Sequence, residues 1–336
     1  MMTEWSKEKE KKILWKYRFL LTARILRILF IVGGLYTIYL IILSIGFTQT
    51  NFASKHNFNM TLAIDWTQGG LHSEYSFQPQ GEITPFLTQK ISMPVYRTIG
   101  KEQEPVATME VQKRIITPFS TARLTFLSPT DSTQFRFYLP EHPKTGEKLY
   151  FSNQDEVWTP LEKVHEGTVA DLAFSTNQYY EPKQLLSILS KYDLDVLWMP
   201  FFSGELKEIK DVGYSLAGGN FMSIDTLGLS KGRELLGGYS SFTEVTISED
   251  TIEEIEAMML KNMESLIEDE SASYLDSFLG LRHLEQRHTY LKENGFQVYG
   301  AVVTGPVKEL LKLKEEETFR GVQVGEFDYW NWEKTE

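Results

Sequence analysis

The stretch YGAVVTGPVKELLKL, residues 299–313, has an order that can hold an anion: an apolar run, a glycine-bearing turn, then a helix start. Backbone N–H groups left unpaired at a helix N-terminus attract negative charge. Thr304 and Gly305 are therefore the candidate ligand-binding residues. The spacing matches neither G-x-x-x-x-G-K-[ST] nor G-x-G-x-x-G, so the plainer alternative is a tight strand-to-helix turn built by Thr304, Gly305 and Pro306. Other chemistry is less well patterned. His283 and His288 in RHLEQRH are five apart, which puts them on different faces of a helix, and H-E-x-x-H is absent. The acids between Glu249 and Glu270 lack the alternating oxygen ligands and central glycine of a calcium loop, and read as a solvated face. No G-x-S-x-G elbow or kinase signature set occurs. With no cysteine there is no thiolate nucleophile, disulfide or cysteine zinc site. No metal, cofactor or catalytic residue is expected.

These residues must be held by elements whose patterns are partly legible. Between about 61 and 160, MTLAIDW, TARLTFLS and TQFRFYLP cluster β-formers, and prolines at 79, 85, 94, 105, 118, 129, 140 and 143 punctuate them. This predicts a β-rich region. From 161 to 332 the character changes. PKQLLSILSKY (182–192) places Leu185, Leu186, Leu189 and Tyr192 on one helical face. DVLWMPFF (195–202) reads as a buried strand, and 213–229 as strands joined at Gly218 and Gly219. Residues 247–270 form an amphipathic helix with Ile252, Ile255, Met259, Met263 and Leu266 as its stripe. A second helix is expected over 273–295, a strand over 296–305, a helix from Pro306 to 317, and a strand near 319–329. The fold class is α+β: a β-rich region of 61–160 and an α/β or α+β domain of 161–332. FDYWNW (327–332) is dense in rings, which either close over the core or form an exposed row for a carbohydrate or partner.

The N-terminal region is of another kind. Residues 28–47 are 20 residues without charge. As a helix they cover about 30 Å, the hydrocarbon thickness of a bilayer. A buried core helix would keep some polar face, and a signal peptide has a shorter apolar region, although Ser44 and Gly46 loosely match a cleavage site. A retained transmembrane helix is the expectation. Residues 1–27 carry eight Lys and Arg against three Glu, net +5, while only Lys55 follows closely on the far side. That asymmetry keeps the head of residues 1–27 cytoplasmic and sends the rest out. Residues 48–60 are polar and read as a linker. Residues 28–336 are net −17 within a chain of net −12, which argues against nucleic acid as a partner. Leu14 and Tyr17, among apolar residues at helical spacing in the head, are the candidate contacts to membrane lipid or to a partner helix.

EKKILWKYRFLLTARILRILFIVGGLYTIYLI (10–41) resembles the N-terminal module of the bacterial sigma factor regulator family. GFQVYGAVVTGPVKELLKLKEE (295–316) and VQVGEFDYWNW (322–332) resemble the end of that family's C-terminal module. The resemblance implies a single-pass membrane anti-sigma factor-like protein that restrains an envelope-stress sigma factor, with the external domain as sensor. Residues 1–27 offer one amphipathic helix at most, less than the roughly 800 Å² per partner of a stable interface. The expectation is thus an indirect action on the sigma factor, beside a second membrane regulator subunit. The rival reading is a surface-anchored enzyme acting on envelope polymer, or a ligand-binding protein.

Overall fold

The computed structural model describes residues 7–49, 52–76, 81–114, 120–128, 134–149, 155–217, 221–236 and 241–332. The chain divides into two units, residues 1–52 and 53–336. The first is one helix, α1 (Lys7–Gln49), in which the basic head and the apolar run are continuous. Among the described residues, Lys7–Gly46 is the helix long and apolar enough to cross a membrane, and nothing covers its apolar window.

The second unit opens with α2 (Phe52–Thr67) and β1 (Leu71–Ser73). Next come β2 (Gly81–Thr84), β3 (Thr88–Ile99), β4 (Glu102–Arg114) and β5 (Thr121–Phe126). These strands form an antiparallel sheet of order β1-β3-β4-β5, with β2 also on β3. The chain continues through α3 (Thr159–Lys163), β6 (Thr168–Tyr180), α4 (Pro182–Leu189) and β7 (Asp195–Phe202). The short strands β8 (Tyr214–Ala217), β9 (Phe221–Ile224), β10 (Leu227–Leu229), β11 (Gly232–Leu236) and β12 (Ser241–Val245) follow. The last elements are α5 (Ile252–Asp269), α6 (Leu284–Asn294), β13 (Gln297–Pro306), α7 (Val307–Lys312) and β14 (Phe319–Tyr329). A second sheet, also of five strands but larger in residues, has the order β10-β7-β13-β6-β14. All its pairings are antiparallel, so the architecture is α+β. Core side chains pack on both of its faces, and β13 from Val298 and β6 from Val169 to Thr176 are accordingly buried throughout.

Four sequence expectations change here. The linker read over 48–60 and the strand read from MTLAIDW are replaced by α2, a helix buried in the main core by Phe58, Met60, Leu62, Ala63 and Trp66. A helix buried nearly all round, with polar side chains such as His56, Asn57, Asn59, Thr61 and Asp65 among its buried residues, has no amphipathic period, so its short apolar run is ambiguous between strand and buried helix. The expected helix over 273–295 is broken. A π-turn at Tyr274–Phe278 is followed by Gly280 at φ 74° and His283 at φ 58°, and regular helix resumes only at Leu284. The turn glycines Gly218 and Gly219 lie outside the described residues, although β8 and β9 pair on either side of them. Among the described residues, TQFRFYLP from Gln134 forms no strand; Arg136 N–H donates to Gln323 Oε1, Tyr138 N–H to Ser175 Oγ and Leu139 N–H to the Met222 carbonyl.

Candidate functional site

The last turn of α2 carries an acid into the core. Asp65 Oδ1 accepts from Ser73 N–H at 3.2 Å, and Oδ2 lies 2.7 Å from Arg233 Nε on β11. Both side chains are buried. Arg233 also donates to the Ser73 carbonyl at 2.7 Å and faces Glu244 of β12 at 3.2 Å. Trp198 of β7 donates its indole N–H to the Asp65 carbonyl at 3.0 Å. One acid and one guanidinium thus tie the core helix to the smaller sheet and to β11. Burial pushes the Asp65 carboxyl up to about 6 against the opposing pull of Arg233.

Beside this pair is a cavity of about 300 Å³. Asp65 and His72 line it from one side, Lys101 and Asp195 from another, and Ser230 and Lys231 from a third. Lys101 Nζ is 2.7 Å from Asp195 Oδ2, and Lys231 Nζ is 3.1 Å from Glu244 Oε1. Burial holds the His72 imidazole down to about 4, helped by the Lys231 charge, with the Gln103 side chain working the other way. The ring is therefore neutral at physiological pH. His72 stacks on Tyr96 with centroids 5.9 Å apart.

Thr304 and Gly305 fall inside β13, not at an open turn. The Thr304 hydroxyl donates to the Ala170 carbonyl at 2.9 Å and accepts from Gly100 N–H at 2.7 Å. A Cβ on Gly305 would lie 2.6 Å from Leu194 Cδ2, so the glycine is explained by close packing. The helix that follows, α7, has only six residues. Thr304 nevertheless bears on the cavity, because Gly100, which it holds, is part of the wall. Leu14 and Tyr17 are exposed on α1, three residues apart on one face, and Trp15 and Phe19 stack beside them at 5.9 Å. FDYWNW divides between its two readings. Trp332 is 5% exposed, against Ile99 and Val169, whereas Tyr329 is 89% exposed.

Asp65, His72, Ser230 and Arg233 were not among the sequence candidates. Their one signal is Asp65 itself, a lone acid in an otherwise apolar run, which a folded chain tolerates only with a partner.

The description "Sigma factor regulator N-terminal" matches residues 11–104, and "Sigma factor regulator C-terminal" matches residues 161–326. The chain belongs to the sigma factor regulator family. A curated relative is the probable anti-sigma-M factor YhdL of Bacillus subtilis (strain 168), 24% identical over 220 residues, which are 62% of this chain and 54% of the relative. The chain thus spans about half the length of that relative. No solved structure matches it. The cavity falls where the two family regions meet: Asp65, His72 and Lys101 come from the first, and Asp195, Ser230 and Lys231 from the second.

Proposed function

We propose that this chain is a membrane-anchored regulator, not an enzyme, that restrains an envelope-stress sigma factor from the N-terminal side of its span and senses on the other. The observation that carries the reading is the match of both family regions to a chain whose α1 is long and apolar enough to span a bilayer. The net +5 head supports an orientation with the N-terminus in the cytoplasm. Residues 7–27 form one exposed helical surface, small beside the roughly 800 Å² per partner of a stable interface. We therefore assign the sigma factor to a second membrane subunit that packs on α1. Only residues 50 and 51 separate α1 from α2 in the sequence, so a change in the core that holds α2 begins next to the span. Two states of the outer unit, bound differently by a signal, would then give two states of the head.

The test replaces Leu14 and Tyr17 by Ala. The uncharged run 28–47 is untouched, so membrane insertion is expected to stay intact. A reporter driven by the sigma factor should rise several-fold, and a second membrane protein should be lost from co-purification. A silent reporter with an unchanged co-purification pattern would show that the head only anchors.

A further inference from the structure

One hairpin of the smaller sheet turns through apolar residues. β2 and β3 pair up to Thr84 and Thr88, and Pro85, Phe86 and Leu87 close the turn between them. Leu87 N–H donates to the Thr84 carbonyl at 3.0 Å, and Leu87 itself has φ 55°. A three-residue turn of this kind ordinarily takes glycine at its left-handed position, where a leucine is strained. Phe86, beside it, is 87% exposed. The tetrapeptide ITPF occurs at 83–86 and again at 116–119, between β4 and β5. An apolar side chain held in a strained position, next to a ring left in solvent, points to an apolar partner outside the unit.

The strand register shows which end of the unit carries this turn. Thr88 pairs with Arg114, and Gln89 with Lys113. The Lys113 ammonium lies over the Tyr274 ring, 3.6 Å from its centroid, and the Tyr274 hydroxyl is 2.7 Å from Nδ1 of His56, early in α2. At the other end of α2, Ile64 shares a core cluster with Val95 of β3. From Val95 back to Gln89, β3 therefore runs along α2 toward its start, and the Phe86 turn continues in that direction. β11 points the same way. Arg233 meets Asp65 near the end of α2, and Leu235 lines a small cavity with Lys55 near its start. Leu236, the next residue, is 43% exposed. Phe86 and Leu236 thus stand at the end of the unit where α2 begins. Residues 50 and 51 separate that start from α1 in the sequence, so a bilayer crossed by α1 has its surface within a few residues of chain.

We infer that the Pro85–Leu87 turn inserts into the outer leaflet of the membrane that α1 crosses, with Phe86 as the anchor at the interface and Leu236 at the rim of the contact. The contact would hold the outer unit against the bilayer. It rests on the reading of α1 as a span proposed above.

The chain has no cysteine, so one substitution places one label. Phe86→Cys carries a nitroxide in the full chain, held in nanodiscs of phosphatidylcholine and phosphatidylglycerol with both faces open to water. Tyr329→Cys is the comparator. Tyr329 is 89% exposed and lies three residues before Trp332, which packs with Ile99 at the opposite end of β3. Both positions are exposed, so the fold is expected to stay intact. Relaxation by oxygen, which concentrates in lipid, is measured against relaxation by a nickel chelate, which stays in water. The oxygen-to-nickel ratio is expected to be several-fold higher at position 86 than at 329. In a second chain that keeps Phe86, the label is carried by Leu236→Cys, and adding Phe86→Ser should lower its ratio toward that of 329. Equal ratios at 86 and 329 overturn the contact. A label at 236 that ignores Phe86→Ser overturns Phe86 as the anchor. A chain that fails to enter the discs overturns the span reading and the contact with it, whereas a water-like label in a chain that has entered them overturns the contact alone.

Discussion

Asp65 and His72 illustrate how one small region sets opposing demands. The Asp65 carboxyl is raised to about 6 by burial, above its ordinary 3.8. A group of that kind stabilises the fold below about pH 4 and loses that contribution as pH rises through about 6. Asp171 behaves alike: burial raises it to about 6, against Arg97, 3.8 Å away. The His72 and His56 imidazoles are lowered by burial to about 4 and about 3. They stabilise above about 6.5 and lose that contribution as pH falls through those values. Between pH 6 and 4 the two acids therefore gain about what the two histidines lose, so these four groups together add little net pH dependence. Asp65→Asn removes one acid from this balance. Lowering the pH from 6.5 to 4 should then destabilise the variant more than the parent, by about 3 kcal/mol for a shift of about two units. Urea midpoints at both pH values measure it. The difference between them is the test, because any loss of the Arg233 pair common to both pH values cancels. Equal pH differences in the two proteins would mean that Asp65 titrates at its ordinary value.

Elements differ in how much of themselves the sequence displays. β7 and α5 were legible because their side chains repeat with a clear pattern and fall between clear stops: DVLWMPFF is an unbroken apolar block, and residues 252–266 carry a stripe at helical spacing. The last strand was legible for similar reasons. α2 was not, because a helix packed on all sides has no polar face to mark its period. The break after Phe278 depends on Gly280 at φ 74°, a backbone choice that periodicity does not report. The cavity could not be read at all. Its residues are separated by up to 182 positions, as Asp65 and Ile247 are, and only the packing of the two family regions on one another brings them together. One packing detail at this scale is testable. Gly228 of β10 lies under Trp198, where a Cβ would enter the indole ring. Gly228→Ala must displace Trp198, whose N–H bonds the Asp65 carbonyl. A loss of about 1–3 kcal/mol is expected, as for other overpacked cores, with a change in the near-ultraviolet circular dichroism of tryptophan. An unchanged spectrum and midpoint would show that this contact yields freely.

At the scale of the whole molecule, the two family regions are not two separately cored bodies. Residues 53–336 form one compact unit, and the main core draws α2 and the smaller sheet together with the larger sheet, α4 and α5. Buried ion pairs cross the same boundary: Arg233 with Asp65, and Arg97 with Asp171. α2 alone gives Phe58, Met60, Leu62, Ala63 and Trp66 to the main core and Ile64 to a second cluster. Each large apolar side chain fully buried contributes about 1.5–3 kcal/mol, so α2 supplies an amount comparable to the roughly 5–15 kcal/mol net stability of a domain. Removing it would also leave Arg233 buried without Asp65, which costs about 3–5 kcal/mol by itself. The cut that matters is therefore at α2 and not at the boundary between the family regions. A chain starting at residue 53 should melt in one cooperative transition. A chain starting at residue 68 should show none, although it retains the whole C-terminal family region. Differential scanning calorimetry of the two separates the cases. A cooperative melt from the shorter chain would mean that the larger sheet holds a core of its own, and that α2 is a lid on it instead of its centre.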